Sequence, residues 1–192
     1  MGSYAAGGNT SQTQTSRTEI TISDAAGLRQ LSQDCRLDSY SSGLYVTLTA
    51  DIELSGDFTP IPVFEGTFDG AGHTISGLNL SDDGSYSGLF RYVLRGGLVK
   101  DVTVKAHITA GGSADYIGGI AGSNAGNITN CKFSGTIKGT DYIGGIAGIN
   151  EKSGLISGCE AAGAMHGSHD TGGIAGSNSG TILNCSSRCS VN

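Results

Sequence analysis

Three segments of this chain are nearly the same: Tyr116-Ile-Gly-Gly-Ile-Ala-Gly-Ser-Asn124, Tyr142-Ile-Gly-Gly-Ile-Ala-Gly-Ile-Asn150 and Thr171-Gly-Gly-Ile-Ala-Gly-Ser-Asn178. Their central glycines, Gly119, Gly145 and Gly173, stand 26 and 28 residues apart. Self-similarity at a period of about 20–50 residues marks a repeat architecture. Each segment is followed by a short turn and then by Ile128-Thr-Asn-Cys131, Ile156-Ser-Gly-Cys159 or Ile182-Leu-Asn-Cys185. Upstream, Gly88-Leu-Phe90 and Val99-Lys-Asp-Val102 form a divergent copy with Val in the Cys place. From that place onward residues alternate with period 2, as a half-buried strand requires. The sets are Val102/Val104/Ala106/Ile108, Cys131/Phe133/Gly135/Ile137, Cys159/Ala161/Gly163/Met165 and Cys185/Ser187/Cys189/Val191.

Short strands joined by glycine and asparagine corners cannot bury their own apolar face. They must stack on copies of themselves, at about 4.8 Å per turn. The prediction is an all-β chain, a parallel β-helix of about five to six turns and roughly 25–30 Å length. A propeller blade would need about 40 residues per unit, more than this repeat supplies.

Composition narrows the partners. The chain has 33 Gly but only 2 Pro in 192 residues, and a formal net charge of −6. The glycines lack collagen's three-residue period, and low proline argues against a disordered linker. Without a basic cluster, nucleic acid is not an expected partner. No apolar run of about 18 residues offers membrane insertion. Residues 1–17 read as an expression scar and flexible leader without a signal peptide. The ending at Asn192, with no capping element, reads as a cut through a longer protein.

In 18–43, Thr18-Glu-Ile-Thr-Ile22 is strand-like, and Ser23 or Asp24 can N-cap a short helix to about Gln33. Ala25, Leu28, Leu31 and Cys35 fall on one face of that helix, which suits it to cover the open end of the coil. Residues 44–192 are the β-helix repeats, one structural domain with 18–43. Leu44-Tyr-Val-Thr-Leu48, Phe64-Glu-Gly-Thr-Phe68 and His73-Thr-Ile-Ser-Gly-Leu78 supply its early strands, with a turn at Asp69-Gly70.

The segments Gly118-Gly-Ile-Ala-Gly122, Gly144-Gly-Ile-Ala-Gly148 and Gly172-Gly-Ile-Ala-Gly176, each followed by Asn and Ile-x-x-Cys, resemble the GLUG repeat of bacterial surface and adhesin-like proteins. That repeat also occurs in the non-catalytic part of some immunoglobulin A peptidases. Ala50-Asp-Ile-Glu-Leu54, Pro60-Ile61, Phe64-Glu-Gly-Thr-Phe-Asp-Gly70 and His73-Thr-Ile75 resemble what often precedes such repeats, so the likeness covers about 44–190. It implies a right-handed, pectate-lyase-like parallel β-helix, extracellular on a bacterial surface. It carries over no catalytic residue.

Several columns carry chemistry worth weighing. Cys131, Cys159 and Cys185 stand one repeat apart. Stacked strands do not converge them on one metal ion, and parallel Cβ vectors disfavour disulfides. They read as a buried thiol ladder. Asp115, Asp141 and Asp170 each precede a glycine strand, at spacings of 26 and 29. Stacked carboxylates either accept hydrogen bonds from their own turns or bind calcium, the one cofactor the sequence suggests. Tyr116 and Tyr142, with Tyr86 and Tyr92 near the same turn, either shield a corner or offer a stripe that binds glycan or protein. Asn124, Asn150 and Asn178 read as a corner ladder. His73, His107, His166 and His169 show no shared column. Asp69, Asp82, Asp83 and Asp101 hold enough carboxyls for a glycosidase pair, but nothing singles out two of them.

The sequence thus favours no enzyme but a non-catalytic surface module, a spacer or adhesion scaffold. Its expected partners are flanking domains, a host or matrix protein or glycan, and end-to-end copies of itself. The alternatives are a β-helical polysaccharide lyase or hydrolase, with Arg91, Arg95 and Lys100 as its cations, and the non-catalytic repeat region of a secreted peptidase.

Overall fold

A computed structural model describes residues 17–81 and 84–192. Every strand pairing in it is parallel, and the chain winds into a solenoid of about six coils. Each full coil runs through three faces. The first stacks Thr18–Ile22, Leu44–Leu48, Thr67–Asp69, Leu98–Lys100, Asn127–Thr129, Leu155–Ser157 and Thr181–Leu183. The second carries the longest strands: Ile52–Glu53, Thr74–Leu80, Thr103–Thr109, Lys132–Lys138, Glu160–His166 and Ser186–Val191. The third stacks Ile61–Phe64, Phe90–Val93, Ala121–Asn124, Ala147–Asn150 and Ala175–Asn178. Between the second and third, a narrow ribbon stacks Ile117–Gly118, Ile143–Gly144 and Thr171–Gly172.

Like stacks on like, as the repeat demands. Ala121 pairs with Ala147 and that with Ala175, Ile128 with Ile156 and Ile182, and Gly135 with Gly163. The inward sets Val102/Val104/Ala106/Ile108 and Cys131/Phe133/Ile137 are buried, as the period-2 reading requires, while Gly135 is half-covered and Gly163 exposed. The core changes along the axis. Early coils are filled by Phe64, Phe68 and Phe90, with ring centroids 5.2–6.3 Å apart. Ala121 then takes the place of Phe90, and Ile120 and Ile146 fill the interior with Phe133. In the last coil, Leu183 and Val191 are exposed and Ile174 and Ile182 only partly covered.

Some early elements differ from the sequence expectation. Phe64-Glu-Gly-Thr-Phe68 is a corner between two faces, because Gly66 lies against the Ser41 and Leu44 carbonyls, where a side chain would collide. The turn expected at Asp69-Gly70 is present: Asp69 Oδ1 accepts from the Ala71 N–H at 2.8 Å, and Ala71 sits at φ 50°. Pro62 is tolerated because Ile61–Phe64 is the edge strand of its face. Thr18–Ile22 is already the first rung, in register with Leu44–Leu48.

The helix is Ala25–Asp34, and it packs against the edge strand Ile61–Phe64. Leu28, Leu31 and Cys35 are buried beneath it. Burial, with the neighbouring Asp34 charge, pushes the Cys35 thiol up to about 12. Arg29 donates to the Ser55 and Asp57 carbonyls, both at 2.7 Å, and Ser32 Oγ donates to the Thr59 carbonyl at 2.7 Å. The helix is thereby latched over the start of the solenoid, covering strand edges that would otherwise pair with other chains. Asp24 accepts from the Gly27 N–H at 2.8 Å as N-cap. Asp24→Ala should cost about 1 kcal/mol in urea unfolding, and it should loosen hydrogen-exchange protection in the helix before the coils. Among the described residues, no helix is long and apolar enough to cross a membrane.

Candidate functional site

The repeated Asp–Tyr pairs lie at the corner where the second face ends and the narrow ribbon begins. Tyr86, Tyr116 and Tyr142 each occupy it with left-handed backbone, at φ 61°, 62° and 57°. That conformation costs an L-residue roughly 1–2 kcal/mol. What offsets it is stacking. Tyr86 and Tyr116 lie 4.5 Å apart at 6° between ring planes, and Tyr116 and Tyr142 lie 4.5 Å apart at 3°. Tyr92, at 4.9 Å and 35° from Tyr86, lengthens the column to four rings. Such pairs contribute about 0.5–1.5 kcal/mol beyond their buried area. The last glycine of each repeat segment rests on this corner: Gly148 on the backbone of Tyr116, Gly176 on that of Tyr142.

The acidic column is shorter than its spacing suggests. Ile143 pairs with Thr171, so the residue opposite Tyr142 is Asp170, and the residue opposite Asp141 is His169. Asp115 and Asp141 share a column that His169 completes, with His169 Nδ1 2.8 Å from Asp141 Oδ1. Asp170 instead takes the tyrosine place, at φ 44°, which Asp tolerates better than most residues. His73 likewise has a carboxylate neighbour, with its Nδ1 3.1 Å from Asp51 Oδ1. Among the described residues, no three His, Cys, Asp or Glu side chains gather where they could hold a metal ion.

On the third face, Asn124 and Asn150 are fully buried. Asn124 Nδ2 donates to Asn150 Oδ1 at 2.8 Å, and Asn150 Nδ2 donates to Asn178 Oδ1 at 2.8 Å. The ladder begins abruptly. Asn124 pairs in register with Val93, so its own Oδ1 is buried without a donor.

Residues 113–138 match a family model described as the GLUG motif. The chain carries a GLUG motif. The matched stretch holds one Asp–Tyr corner, the glycine segment, Asn124 and Cys131, ending with the second-face strand Lys132–Lys138. Over 120 residues, 56% of this chain, the sequence is also 36% identical to "Halomucin" of Haloquadratum walsbyi. That stretch covers 1% of halomucin, so the chain spans only a small part of its relative's length. No solved structure matches.

In the repeated coils Cys131, Cys159 and Cys185 form a column of free thiols behind Val102. Each donates along the backbone: Cys131 to Thr129 O at 3.4 Å, Cys159 to Ser157 O at 3.4 Å, Cys185 to Leu183 O at 3.3 Å. Interaction with Cys159 and burial hold the Cys131 thiol well above its ordinary range, which makes it a poor nucleophile. Cys189 stands opposite Gly163, half-buried in the last coil.

The sequence reading missed one polar cluster, on the first face. Lys100 Nζ lies 2.9 Å from Asp69 Oδ2, and the Tyr45 hydroxyl donates to the same oxygen at 3.0 Å. Partial burial raises the Asp69 carboxyl, but the bonds from Lys100, the Ala71 N–H and Tyr45 outweigh it and hold it below its ordinary value. The signal was present in register: Thr-Phe-Asp69 and Leu-Val-Lys100 occupy matching places in successive coils. Lys100 is thus committed to Asp69, and Arg91 donates to the Ser85 carbonyl at 3.1 Å. Of the other carboxylates weighed for glycosidase work, Asp101 lies 3.6 Å from Lys100, and Asp82 and Asp83 lie outside the described residues.

Proposed function

We propose that the chain is a non-catalytic β-helix module that serves as a spacer and display scaffold within a longer surface protein. One observation carries this reading. The repeated Asn, Tyr and Cys side chains are engaged by their copies in the next coil or by the backbone: Asn bonds Asn, Tyr stacks on Tyr, and Cys donates to carbonyls. Repetition here serves length and stiffness. The GLUG motif and the likeness to a long protein named halomucin support the same reading.

Extracellular display, an adhesive contact through the edges of Tyr116 and Tyr142, and calcium at the Asp115 and Asp141 places, from which Asp170 is displaced, are finer parts of the proposal. The module itself calls for no cofactor. Its partly covered last coil would be closed by a neighbouring coil or domain, or by another copy of the chain.

Single-molecule pulling from the two termini tests the spacer reading. Coils joined to their neighbours by parallel ladders should release one at a time. Each release should lengthen the tether by about 75–105 Å, the contour of a coil of 22 to 31 residues. A single cooperative rupture would argue against a stack built to bear load in units. Release of sugar fragments from a polysaccharide panel would replace the reading with the lyase or hydrolase alternative.

A further inference from the structure

The tyrosine column holds four of the seven tyrosines in the chain. Backbone shielding alone would require no particular ring geometry. These rings lie face to face, with Tyr86, Tyr116 and Tyr142 within 6° of parallel and each neighbour 4.5 Å away. All four are half-buried, so solvent reaches them while their faces cover one another. Two phenoxyl radicals couple through their ring faces at the carbons ortho to oxygen. In the biaryl product the ring centres lie about as far apart as in a stacked pair, so coupling needs only that the rings tilt. The coil already holds neighbouring rings parallel at about that separation.

We propose that the Tyr86–Tyr116–Tyr142 column is an oxidative modification site, in which a peroxide-derived or photochemical one-electron oxidant joins neighbouring coils by dityrosine bonds. Each phenol gives up one electron and one proton to the oxidant. The two radicals form one Cε–Cε bond, and the two displaced ring hydrogens move to the oxygens, restoring both aromatic rings. The net change is loss of two hydrogen atoms, taken up as two molecules of water when the oxidant is hydrogen peroxide.

The product closes a loop of one coil, 26 residues from Tyr116 to Tyr142 or 30 from Tyr86 to Tyr116. It would prevent that coil from peeling away. Tyr86 and Tyr142 are phenols held in their protonated form. Burial raises Tyr86, and the neighbouring Tyr116 and the Asp170 carboxylate raise Tyr142. Oxidation therefore requires the coupled loss of a proton, which the oxidant takes up together with the electron.

The test illuminates the full chain with a ruthenium tris-bipyridyl sensitiser and persulfate at high dilution. Dityrosine fluorescence, intact mass and peptide mapping are the readouts. The expected product is monomeric and lighter by two hydrogens, and it yields a cross-linked peptide containing Tyr116 with Tyr142 or Tyr86. Its unfolding midpoint should be raised, since the cross-link restricts the unfolded chain as a disulfide does. Tyr142→Phe keeps the stack and should shift the cross-link to Tyr86–Tyr116. Tyr116→Phe should remove most of the intramolecular product. Cross-links that fall mainly on Tyr40 or Tyr45, or that form only between molecules, would overturn the proposal. So would a yield unchanged in Tyr116→Phe.

Discussion

Asn150→Asp is expected to lower stability by about 3–5 kcal/mol at neutral pH, the range for stranding an uncompensated charge in a protein interior. Asn150 is fully buried, and its amide faces two ways. Its Oδ1 accepts from Asn124 Nδ2, which a carboxylate could also do. Its Nδ2 faces three acceptors: Asn178 Oδ1 at 2.8 Å and the Gly154 and Thr181 carbonyls, each at 3.3 Å. A carboxylate there sets oxygen against oxygen with no proton between them. The pH dependence follows with a definite sign. Desolvation and repulsion raise the introduced carboxyl above its unfolded value, so the penalty is full above the folded pKa and fades as pH falls through it. Urea unfolding at pH 7 and pH 4 should show the variant recovering relative to wild type. Asn150→Leu should cost less, about 1–3 kcal/mol, with little dependence on pH. Asn124 Nδ2 would keep the Leu155 carbonyl at 3.3 Å, and Asn178 Oδ1 would keep the Gly180 N–H at 3.2 Å. Equal losses in the two variants at pH 7 would show that the ladder acts through shape alone.

The sequence reading foresaw this ladder, because three Asn at one repeat position, each next to a glycine corner, leave little else for a buried amide to do. The coil itself was legible for the same reason: period 2 after each Cys, glycines at fixed offsets, and recurring asparagines, of which Asn130 and Asn184 prove to be left-handed corners. The column at the Asp–Tyr corner was read one residue out in the last repeat. Asp141 to Asp170 is 29 residues, while Gly145 to Gly173 is 28, and that single residue puts His169 against Asp141. Side-chain geometry was beyond the sequence. Tyr86, Tyr92, Tyr116 and Tyr142 could be placed near one corner, but four rings in one stack depend on left-handed backbone at three of them, a conformation tyrosine rarely adopts. The early coils were least legible, because phenylalanine packing there substitutes for the repeated small residues. The strand-like run Phe64–Phe68 conceals a corner that only the contact of Gly66 with the preceding coil explains.

Gly148→Ala carries the second large expected effect, a loss of about 3 kcal/mol or more in chemical unfolding, from overpacking that no side-chain movement can relieve. Gly148 is not at a positive φ, so its role is not backbone freedom. A methyl group there would meet the backbone of the coil beneath, 2.5 Å from the Ile117 nitrogen and 2.6 Å from Tyr116 Cα. Those atoms belong to the left-handed corner that aligns the tyrosine rings, so relief requires the coils to separate where Tyr116 and Tyr142 stack. The variant should therefore lose near-ultraviolet tyrosine dichroism along with stability. Gly72→Ala supplies the contrast. Gly72 has φ +82° but nothing within 4 Å of the added carbon, so only the conformational cost remains, about 1–2 kcal/mol, with the tyrosine signal intact. If Gly148→Ala costs no more than Gly72→Ala, the glycines of the repeat segment are turn-formers and the close approach of coils at the tyrosine corner is dispensable. If it costs the larger amount and takes the tyrosine signal with it, the segment Gly-Gly-Ile-Ala-Gly is a spacing rule. It sets how near one coil comes to the next, and through that spacing it fixes the Asn ladder and the tyrosine column together.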